Sequence, residues 1–239
     1  MEFLQNVVEY YDELYPVTAS QKDFYHFLLK KYSSPARLLR VGCATGLFEH
    51  QLAREGLDIT GIEDSRELLN SAILRKRTQL MSVRYFEMSA MDMTKYLGKK
   101  FYNIISSLND RILLIHGKTL MRKFFYDCYQ LLQDNGVLVL QFANLEKNNK
   151  KLPVRESIRV KLTSELKTDS EGEITITQKV ETGNGKILPV VSDEEIYPLK
   201  AEEVYDFAKE AGFSNVKLYS DFELSPFTGE EDNVVALIS

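Results

Sequence analysis

The sequence lacks tryptophan and has only three histidines and two cysteines among 239 residues. Cys43 and Cys128 are too few for a disulfide framework, so we expect none. His26, His50 and His116 do not have the spacing of metal ligands, and we expect no metal site. No apolar run has the length of a membrane span, and no basic-then-apolar leader opens the sequence. We therefore expect a cytoplasmic protein without a membrane partner.

Charge of one sign is not dominant, because 30 basic residues stand against 35 acidic ones, for a net charge of −5. The surplus of acids lies in residues 191–239, which hold 12 Asp or Glu and 3 Lys. The compact basic triplet Arg75-Lys76-Arg77 is interpreted as a solvated helix end. Because a nucleic-acid site normally needs a clustered basic face, nucleic acid is not an expected partner.

Residues 38–65 contain a nucleotide-binding pattern. An apolar strand ends in the turn Gly42-Cys43-Ala44-Thr45-Gly46, a helix follows over residues 47–55, and a second strand ends at Glu63 and Asp64. Glycine lets a ligand lie against the main chain, and the amides that open the next helix face that ligand. A carboxylate at Glu63 can accept hydrogen bonds from both hydroxyls of a ribose. The pattern predicts the first half of a nucleotide-binding α/β unit, with a tight turn that binds no ligand as the alternative.

The glycine spacing excludes two common nucleotide sites. The turn reads G-x-x-x-G, whereas a dinucleotide site reads G-x-G-x-x-G and a P-loop reads G-x-x-x-x-G-K-[ST]. The pattern resembles motif I and the following acidic position of the class I S-adenosylmethionine-dependent methyltransferases. In that family the turn surrounds the methionyl end of the cofactor and the acid holds its ribose. The resemblance implies S-adenosyl-L-methionine as cofactor and S-adenosyl-L-homocysteine as product.

The remaining elements extend this resemblance over nearly the whole chain. Strand patterns recur at residues 83–87, 101–106 and 137–142, and amphipathic helices at 20–32, 118–132 and 200–211, with a further helix that begins at Asp64. The apolar residues expected on the buried faces of these helices include Phe27, Ile73 and Leu120. We expect Asp64 to cap its helix, and we expect residues 134–136 and Gly212 to end the helices that precede them. The resemblance implies an α/β fold with a Rossmann-like seven-stranded sheet, helices on both faces, and an inserted antiparallel β platform after strand five. The last two strands, at residues 214–219 and 234–238, would form its closing hairpin.

We expect one methyltransferase domain over residues 1–239. Its parts are an N-terminal lid and helix (1–34), a cofactor-binding core (35–150), the inserted β segment (151–198), and the last helix with the closing hairpin (199–239). In small-molecule methyltransferases an insertion at this point covers the active-site mouth. A dimerisation ribbon is the alternative, so the protein is expected to be a monomer or a homodimer.

The resemblance also assigns site residues. The lid segment around Tyr11 and Tyr15 resembles one that folds over the cofactor, although simple packing of the tyrosines is an alternative. Arg111 is a candidate partner for a substrate carboxylate, whereas its loop could instead be plain surface. Asp110, His116 or a lid tyrosine could serve as a base. The cofactor set is Tyr11, Arg40, Gly42, Cys43, Ala44, Thr45, Gly46, Glu63, Asp64, Ser89, Ala90, Met91 and Ser107, and the catalytic set is Tyr15, Asn109, Asp110 and Arg111.

Three positions depart from the family pattern. Arg40 stands where the family has an acid that helps to hold the methionyl ammonium, so we expect it either to turn away and pair with an acid such as Glu63 or Asp64, or to impair cofactor binding. Ser89 replaces the acid that accepts from the adenine amino group. Ala44 replaces a glycine and should keep ordinary backbone dihedrals. The leading hypothesis is a methyltransferase that acts on a small-molecule substrate, and the alternative is a catalytically silent partner protein with the same fold.

Overall fold

The computed structural model describes residues 4–76, 81–147 and 152–239. Arg77 of the basic triplet lies outside these ranges, as do residues 1–3 of the expected lid and residue 151 at the start of the expected insertion. Eight α-helices and eleven strands are present within the described ranges. The helices are α1 (Gln5–Val8), α2 (Tyr11–Leu14), α3 (Ala19–Leu29), α4 (Leu47–Arg54), α5 (Arg66–Arg75), α6 (Met93–Tyr96), α7 (Lys118–Leu131) and α8 (Ala201–Ala211).

The strands form two sheets. They are β1 (Arg37–Val41), β2 (Asp58–Glu63), β3 (Val83–Glu87), β4 (Tyr102–Ser107), β5 (Leu132–Ala143), β6 (Arg155–Glu156), β7 (Val160–Thr168), β8 (Ile174–Thr182), β9 (Ile187–Ile196), β10 (Val216–Tyr219) and β11 (Asn233–Ile238). The larger sheet has the order β10-β11-β5-β4-β1-β2-β3. Its strands β1 to β5 pair in parallel, and β11 is antiparallel to both β5 and β10. The predicted seven-stranded sheet and closing hairpin are confirmed.

Apolar side chains cover both faces of this sheet. Leu38 of β1 packs in a cluster with Phe48 and Leu52 of α4 on one face. Its neighbour Leu39 packs on the other face in a cluster with Phe124 of α7. Successive residues of a strand point to opposite faces, so these contacts place helices on both sides of the sheet. The parallel strands therefore end together at one edge, where a ligand crevice forms in such sheets.

The inserted segment forms the second sheet. Strands β6, β7, β8 and β9 are antiparallel neighbours in that order. Leu162, Ile176 and Val190 are buried on its inner side, whereas Ile158, at the turn before β7, is fully exposed. The expected antiparallel insertion is thus confirmed.

Several local predictions are wrong. Strand β5 begins at Leu132, so residues 134–136 belong to the strand beside a register shift and do not form a separate turn. Ser65, not Asp64, caps α5 by accepting from the amide of Leu68. The side chain of Phe27 is half exposed because the buried face of α3 runs through Phe24 and Leu28. The expected core residues Ile73 and Leu120 are likewise partly exposed.

Candidate active site

The glycine turn after β1 takes left-handed backbone conformations. Gly42, Ala44 and Gly46 have φ values of 69°, 49° and 70°. Ala44 therefore does not keep ordinary dihedrals, contrary to the sequence expectation. The turn is held by the carbonyl of Ile62, which accepts from the amides of Gly42 and Cys43 at 3.0 Å each. This geometry brings the backbone of the turn to the end of β2.

Glu63, at the end of β2, is buried and closes the turn. Its Oε2 accepts from the amide of Ala44 at 2.8 Å, and its Oε1 accepts from the amide of Ser65 at 3.1 Å. Arg111 Nη2 also donates to Glu63 Oε1, at 2.5 Å. Burial raises the pKa of Glu63 to about 7, against the opposing effect of the Arg111 charge.

Arg111 spans the mouth of the turn. Its Nη2 donates to Asp64 Oδ1 at 3.0 Å as well as to Glu63. Its side chain passes over Gly42, where an added Cβ would lie 2.9 Å from Arg111 Nε. We expected Arg111 to face a substrate carboxylate, but its guanidinium is directed to these two acids. The reason is backbone geometry, because Asn109 and Asp110 have φ values of 58° and 64° and turn the chain at the end of β4.

Arg40 pairs with an acid, as expected, but the acid is Glu49 of α4 and neither of the examples Glu63 and Asp64. Arg40 Nε lies 3.0 Å from Glu49 Oε1, and both side chains are buried. Arg40 Nη1 also donates to the carbonyl of Ser106 at 3.4 Å. Because Leu38 and Arg40 share the sheet face that α4 covers, the guanidinium meets an acid of that helix. No sequence pattern indicates this pair, whose members are nine positions apart in different elements.

Three cavities surround the turn. An outer cavity of about 240 Å³ lies beyond β2 and β3 and is lined by Glu63, Ser89, Met91, His116 and Phe124, among others. A chamber of about 70 Å³ lies between the lid and the inserted sheet. An inner pocket of about 30 Å³ lies under the lid beside the turn. Arg111 borders both the outer cavity and the chamber. Tyr11, Tyr15 and Asn109 border both the chamber and the inner pocket.

The structure brings nearly all the predicted site residues to these cavities. The outer cavity is lined by Gly42, Glu63, Asp64, Ser89, Ala90, Met91 and Ser107. The inner pocket is lined by Arg40, Cys43, Ala44 and Thr45. The chamber is lined by Tyr11, Tyr15, Asn109, Asp110 and Arg111. Gly46 lines none of the three and instead begins α4, with Tyr85 against it. Burial raises the pKa of the Cys43 thiol well above its usual value, so the thiol stays protonated.

Asp12 of the lid is a contact residue that the sequence analysis missed. Its Oδ1 accepts from the hydroxyl of Thr45 at 2.5 Å, and its Oδ2 accepts from Arg75 Nη2 at 2.5 Å. Arg75 Nε also donates to the carbonyl of Thr45 at 3.0 Å. Arg75 is thus not a solvated helix end, as the basic triplet suggested, but part of a latch that fixes the lid to the turn. The rings of Tyr11 and Tyr15 stack at 4.6 Å under this latch.

Asp110 connects the core to the inserted sheet. Its Oδ1 accepts from the amide of Ala143 at 2.7 Å, and its Oδ2 accepts from Arg155 Nη2 at 2.9 Å. The guanidinium of Arg155 lies 4.5 Å from the centre of the Tyr15 ring. Both carboxylate oxygens of Asp110 are engaged, so we interpret this residue as a positioning group and not as a base.

The inserted sheet covers the chamber and contacts the lid. Asn6 Nδ2 donates to the carbonyl of Pro189 at 2.7 Å, and the hydroxyl of Ser157 donates to Glu13 at 2.8 Å. Arg159 pairs with Glu13 at 3.0 Å. Of the two sequence interpretations of the insertion, a platform over the site and a dimerisation ribbon, this packing agrees with the platform.

Over residues 4–76, 81–147 and 152–239, no helix has both the length and the apolar character needed to cross a membrane. The same residues contain no cluster of three or more His, Cys, Asp or Glu side chains able to hold a metal ion.

Comparisons with known proteins agree with this geometry. A model described as "Methyltransferase domain" matches residues 39–140. The glycine/sarcosine N-methyltransferase of Aphanothece halophytica is 23% identical over 235 residues, covering 93% of this chain and 83% of that protein. A Geobacillus sp. (strain WCH70) protein that carries a methyltransferase name is 29% identical over 113 residues, and the match spans only 46% of this chain and 44% of that protein.

The fold is also that of a solved methyltransferase. The S-adenosylmethionine-dependent methyltransferase from Clostridium acetobutylicum ATCC 824 superposes with a TM-score of 0.79 over 98% of this chain and 97% of that one. Its sequence identity is 15%, so this match concerns the fold.

Proposed function

We propose that this chain, a class I S-adenosyl-L-methionine-dependent methyltransferase, transfers the methyl group of that cofactor to a small-molecule nucleophile. The observation that carries the proposal is the enclosed chamber between the lid and the inserted sheet. The chamber has a volume of about 70 Å³ and borders the inner pocket through Tyr11, Tyr15 and Asn109. A space of this size, roofed by α1, α2 and the inserted sheet, suits a small acceptor and not a polymer strand.

The chamber has a lining suited to a polar small molecule. Much of its wall is apolar, including Leu162, Ile176 and Val190. The polar groups come from Asn109, Asp110, Arg111, Gln178 and the two lid tyrosines. A mostly apolar wall with a few placed polar groups is typical of small-ligand sites. The named activity of the Aphanothece halophytica relative, on glycine and sarcosine, supports an acceptor of this size.

The residues present fit the cofactor. S-adenosyl-L-methionine supplies an electrophilic methyl group on a sulfonium. We assign the ribose hydroxyls to Glu63, and this assignment requires Arg111 to leave both Glu63 Oε1 and the face of Gly42 that its side chain covers. We assign the adenine to the outer cavity, where Ser89 stands in place of the family's acid and Met91 lines the wall. The amino-acid end is assigned to the inner pocket.

The chain's own residues position the acceptor and exclude water. Burial raises the pKa of both Tyr11 and Tyr15, so both stay neutral phenols that can donate hydrogen bonds or offer ring faces. The aromatic faces favour a cationic centre nearby. Closure of α2 over the turn, held by Asp12, keeps the reacting groups aligned in a dry space, which is the main task in a displacement of this kind.

Transfer of a labelled methyl group tests this proposal. The purified protein is incubated with S-adenosyl-L-methionine labelled on the methyl group and, separately, with pools of small amines, amino acids, amino sugars and phenols, with RNA and with peptides. We expect label to enter a small-molecule pool. Label that enters only RNA or peptide contradicts the proposal, and no transfer to any pool despite cofactor binding would revive the catalytically silent alternative.

Replacement of Glu63 by Ala tests the assignment of the ribose. We expect the variant to bind S-adenosyl-L-homocysteine at least about tenfold more weakly, because hydrogen bonds to a buried charged acceptor are lost. Isothermal titration calorimetry measures the change, with circular dichroism as the control for folding. Unchanged affinity in a folded variant would reject this role for Glu63.

A further inference from the structure

The inner pocket contains a charge arrangement that differs from the family pattern. Arg40 occupies the position two residues before Gly42, where the family has an acid that helps to hold the methionyl ammonium. An unpaired arginine there would repel that cation, because the two groups carry like charges. The structure instead shows Arg40 beside Glu49, which comes from the adjacent helix α4.

The pair lies at the wall of the inner pocket and is incompletely satisfied. Both side chains line the pocket, with 5% and 2% of their surfaces exposed. The atoms Arg40 Nε and Glu49 Oε1 are 3.0 Å apart, close enough for an ion pair. Nevertheless, neither atom has a hydrogen bond of good geometry with any group in the described ranges. Buried charged groups normally have such partners, so an incomplete pair at a cavity indicates a place for a ligand.

The neighbouring acid in the pocket is already occupied. Asp12 also lines it, but its two oxygens accept from Thr45 and from Arg75 in the lid latch. Glu49 therefore offers the acceptor atom that Asp12 does not. The opposite charges of Arg40 and Glu49 largely cancel at a distance, so the pair does not repel a cation as Arg40 alone would.

We infer that Arg40 and Glu49 together bind the amino-acid end of the cofactor, with Glu49 accepting from the ammonium and Arg40 donating to the carboxylate. The acid has thus moved from β1 to α4, and the arginine left in its place serves the other charge of the same zwitterion. Charge-assisted hydrogen bonds of this kind are the strong ones in proteins. The inference concerns cofactor binding only, so it holds whatever the acceptor is.

Two ligands separate this role from a general effect on the site. S-adenosyl-L-homocysteine carries the amino-acid end, and 5′-methylthioadenosine has the same thioether and adenosine without it. We expect Glu49→Gln to weaken binding of S-adenosyl-L-homocysteine at least about tenfold and binding of 5′-methylthioadenosine less than about twofold. Calorimetry gives both affinities, and thermal denaturation shows whether the variant is folded. The matched control is Glu87→Gln, an exposed acid at the end of β3 that should change neither affinity.

Either of two results in a folded Glu49→Gln protein would overturn the inference: equal losses for the two ligands, or no loss for either. If that variant does not fold, the wild-type protein decides, by comparing S-adenosyl-L-homocysteine with its decarboxylated analogue. We expect the analogue to bind at least about fivefold more weakly because Arg40 loses its partner carboxylate. Equal affinity would overturn the inference. None of these measurements uses an acceptor, so failure here is distinct from failure of the proposed methyl transfer.

Discussion

At the scale of single residues, the turn after β1 places Ala44, a residue with a Cβ, in a left-handed backbone conformation. Ala44 has a φ of 49°, a conformation that costs a residue with a Cβ about 1–2 kcal/mol. The strained position is held because the amide of Ala44 donates to Glu63. The hydrogen bond to the Glu63 carboxylate thus offsets the steric cost of the left-handed conformation at Ala44.

Ala44→Gly should stabilise the protein. Glycine adopts the left-handed conformation without steric cost, and its greater freedom in the unfolded chain offsets part of the gain, so we expect an increase of about 0.5–1 kcal/mol in the free energy of unfolding. Urea denaturation measures it. The comparison is Ala53→Gly inside α4, where a loss of about 1 kcal/mol or more is expected. A loss of similar size in both variants would contradict the strain at Ala44.

The buried carboxylate of Glu63 should make stability depend on pH. Burial raises its pKa from 4.5 to about 7 in the folded protein. Between these values the folded state binds more protons than the unfolded state, so the free energy of unfolding falls as pH rises through this window. Below pH 4.5 both states are protonated, and the stabilising contribution of this group is then complete.

Glu63→Gln removes that dependence because glutamine does not titrate. We expect the stability of the wild type relative to the variant to fall by up to about 3 kcal/mol from pH 4.5 to pH 7.5. Denaturation at a series of pH values measures the difference, with the exposed Glu87→Gln as the matched control. A difference that is constant over this range would show that the pKa of Glu63 is the same in the folded and unfolded states.

At the scale of elements, the lid helix α2 depends on a few polar contacts with the turn. Asp12 is the centre of this latch, since it accepts from both Thr45 and Arg75. The helix has only four residues, too few to be stable alone in water. Its order therefore comes from packing and from the latch.

Asp12→Ala should loosen the lid. The change leaves Arg75 and the Thr45 hydroxyl without their acceptor, at a local cost of about 1–3 kcal/mol. We expect faster amide hydrogen exchange over residues 4–15 and weaker binding of S-adenosyl-L-homocysteine. Glu9→Ala, which removes only an exposed pair with Arg159, should leave both nearly unchanged. Equal exchange rates in the two variants would show that packing alone holds the lid.

Elements could be predicted from sequence where periodicity and turn residues agree. The strands β1 to β5, the inserted sheet and α8 follow the expected order, and Gly212 ends α8 in a left-handed conformation as predicted. Failures such as Phe27 and Ile73 arise at the edge of an apolar stripe. The buried stripe of α3 contains Phe24, Tyr25 and Leu28, and that of α5 contains Leu68, Leu69 and Ala72. The local sequence pattern does not show which residues at the edge of such a stripe the neighbouring elements cover.

At the scale of the whole molecule, three parts of the chain meet at the chamber. Asp110 follows β4, Arg155 lies in the inserted sheet and Tyr15 belongs to the lid, and these side chains contact one another. The sequence predicted that Tyr15 and Asp110 belong to the site, but not that Arg155 joins them. Asp110 and Arg155 are 45 positions apart, and they meet only because the insertion folds back onto the core. The hydrophobic pattern of the sequence does not determine how the insertion folds back.

Arg155→Met should lower the turnover of the acceptor and leave the binding of the cofactor nearly unchanged. The variant keeps the bulk of the side chain but loses the ion pair with Asp110 and the cation over Tyr15, so the chamber loses its fixed shape. We expect kcat/KM for the acceptor found in the transfer assay to fall at least about tenfold, with less than about threefold change in the affinity for S-adenosyl-L-homocysteine. Arg84→Met, which removes the pair with Asp58, is the control. A parallel fall in cofactor affinity would contradict the division between chamber and cofactor site.

The position of β11 between β5 and β10 has a consequence for synthesis. Residues 132–143 of β5 acquire their second neighbour only when residues 233–238 are available, some ninety positions later. Until then a nascent or prematurely terminated chain presents the apolar run of Val137 to Phe142 as an open sheet edge. Open apolar edges are templates for aggregation. Chains released before residue 233 should therefore accumulate as insoluble material, while the full-length chain protects that strand within its own sheet.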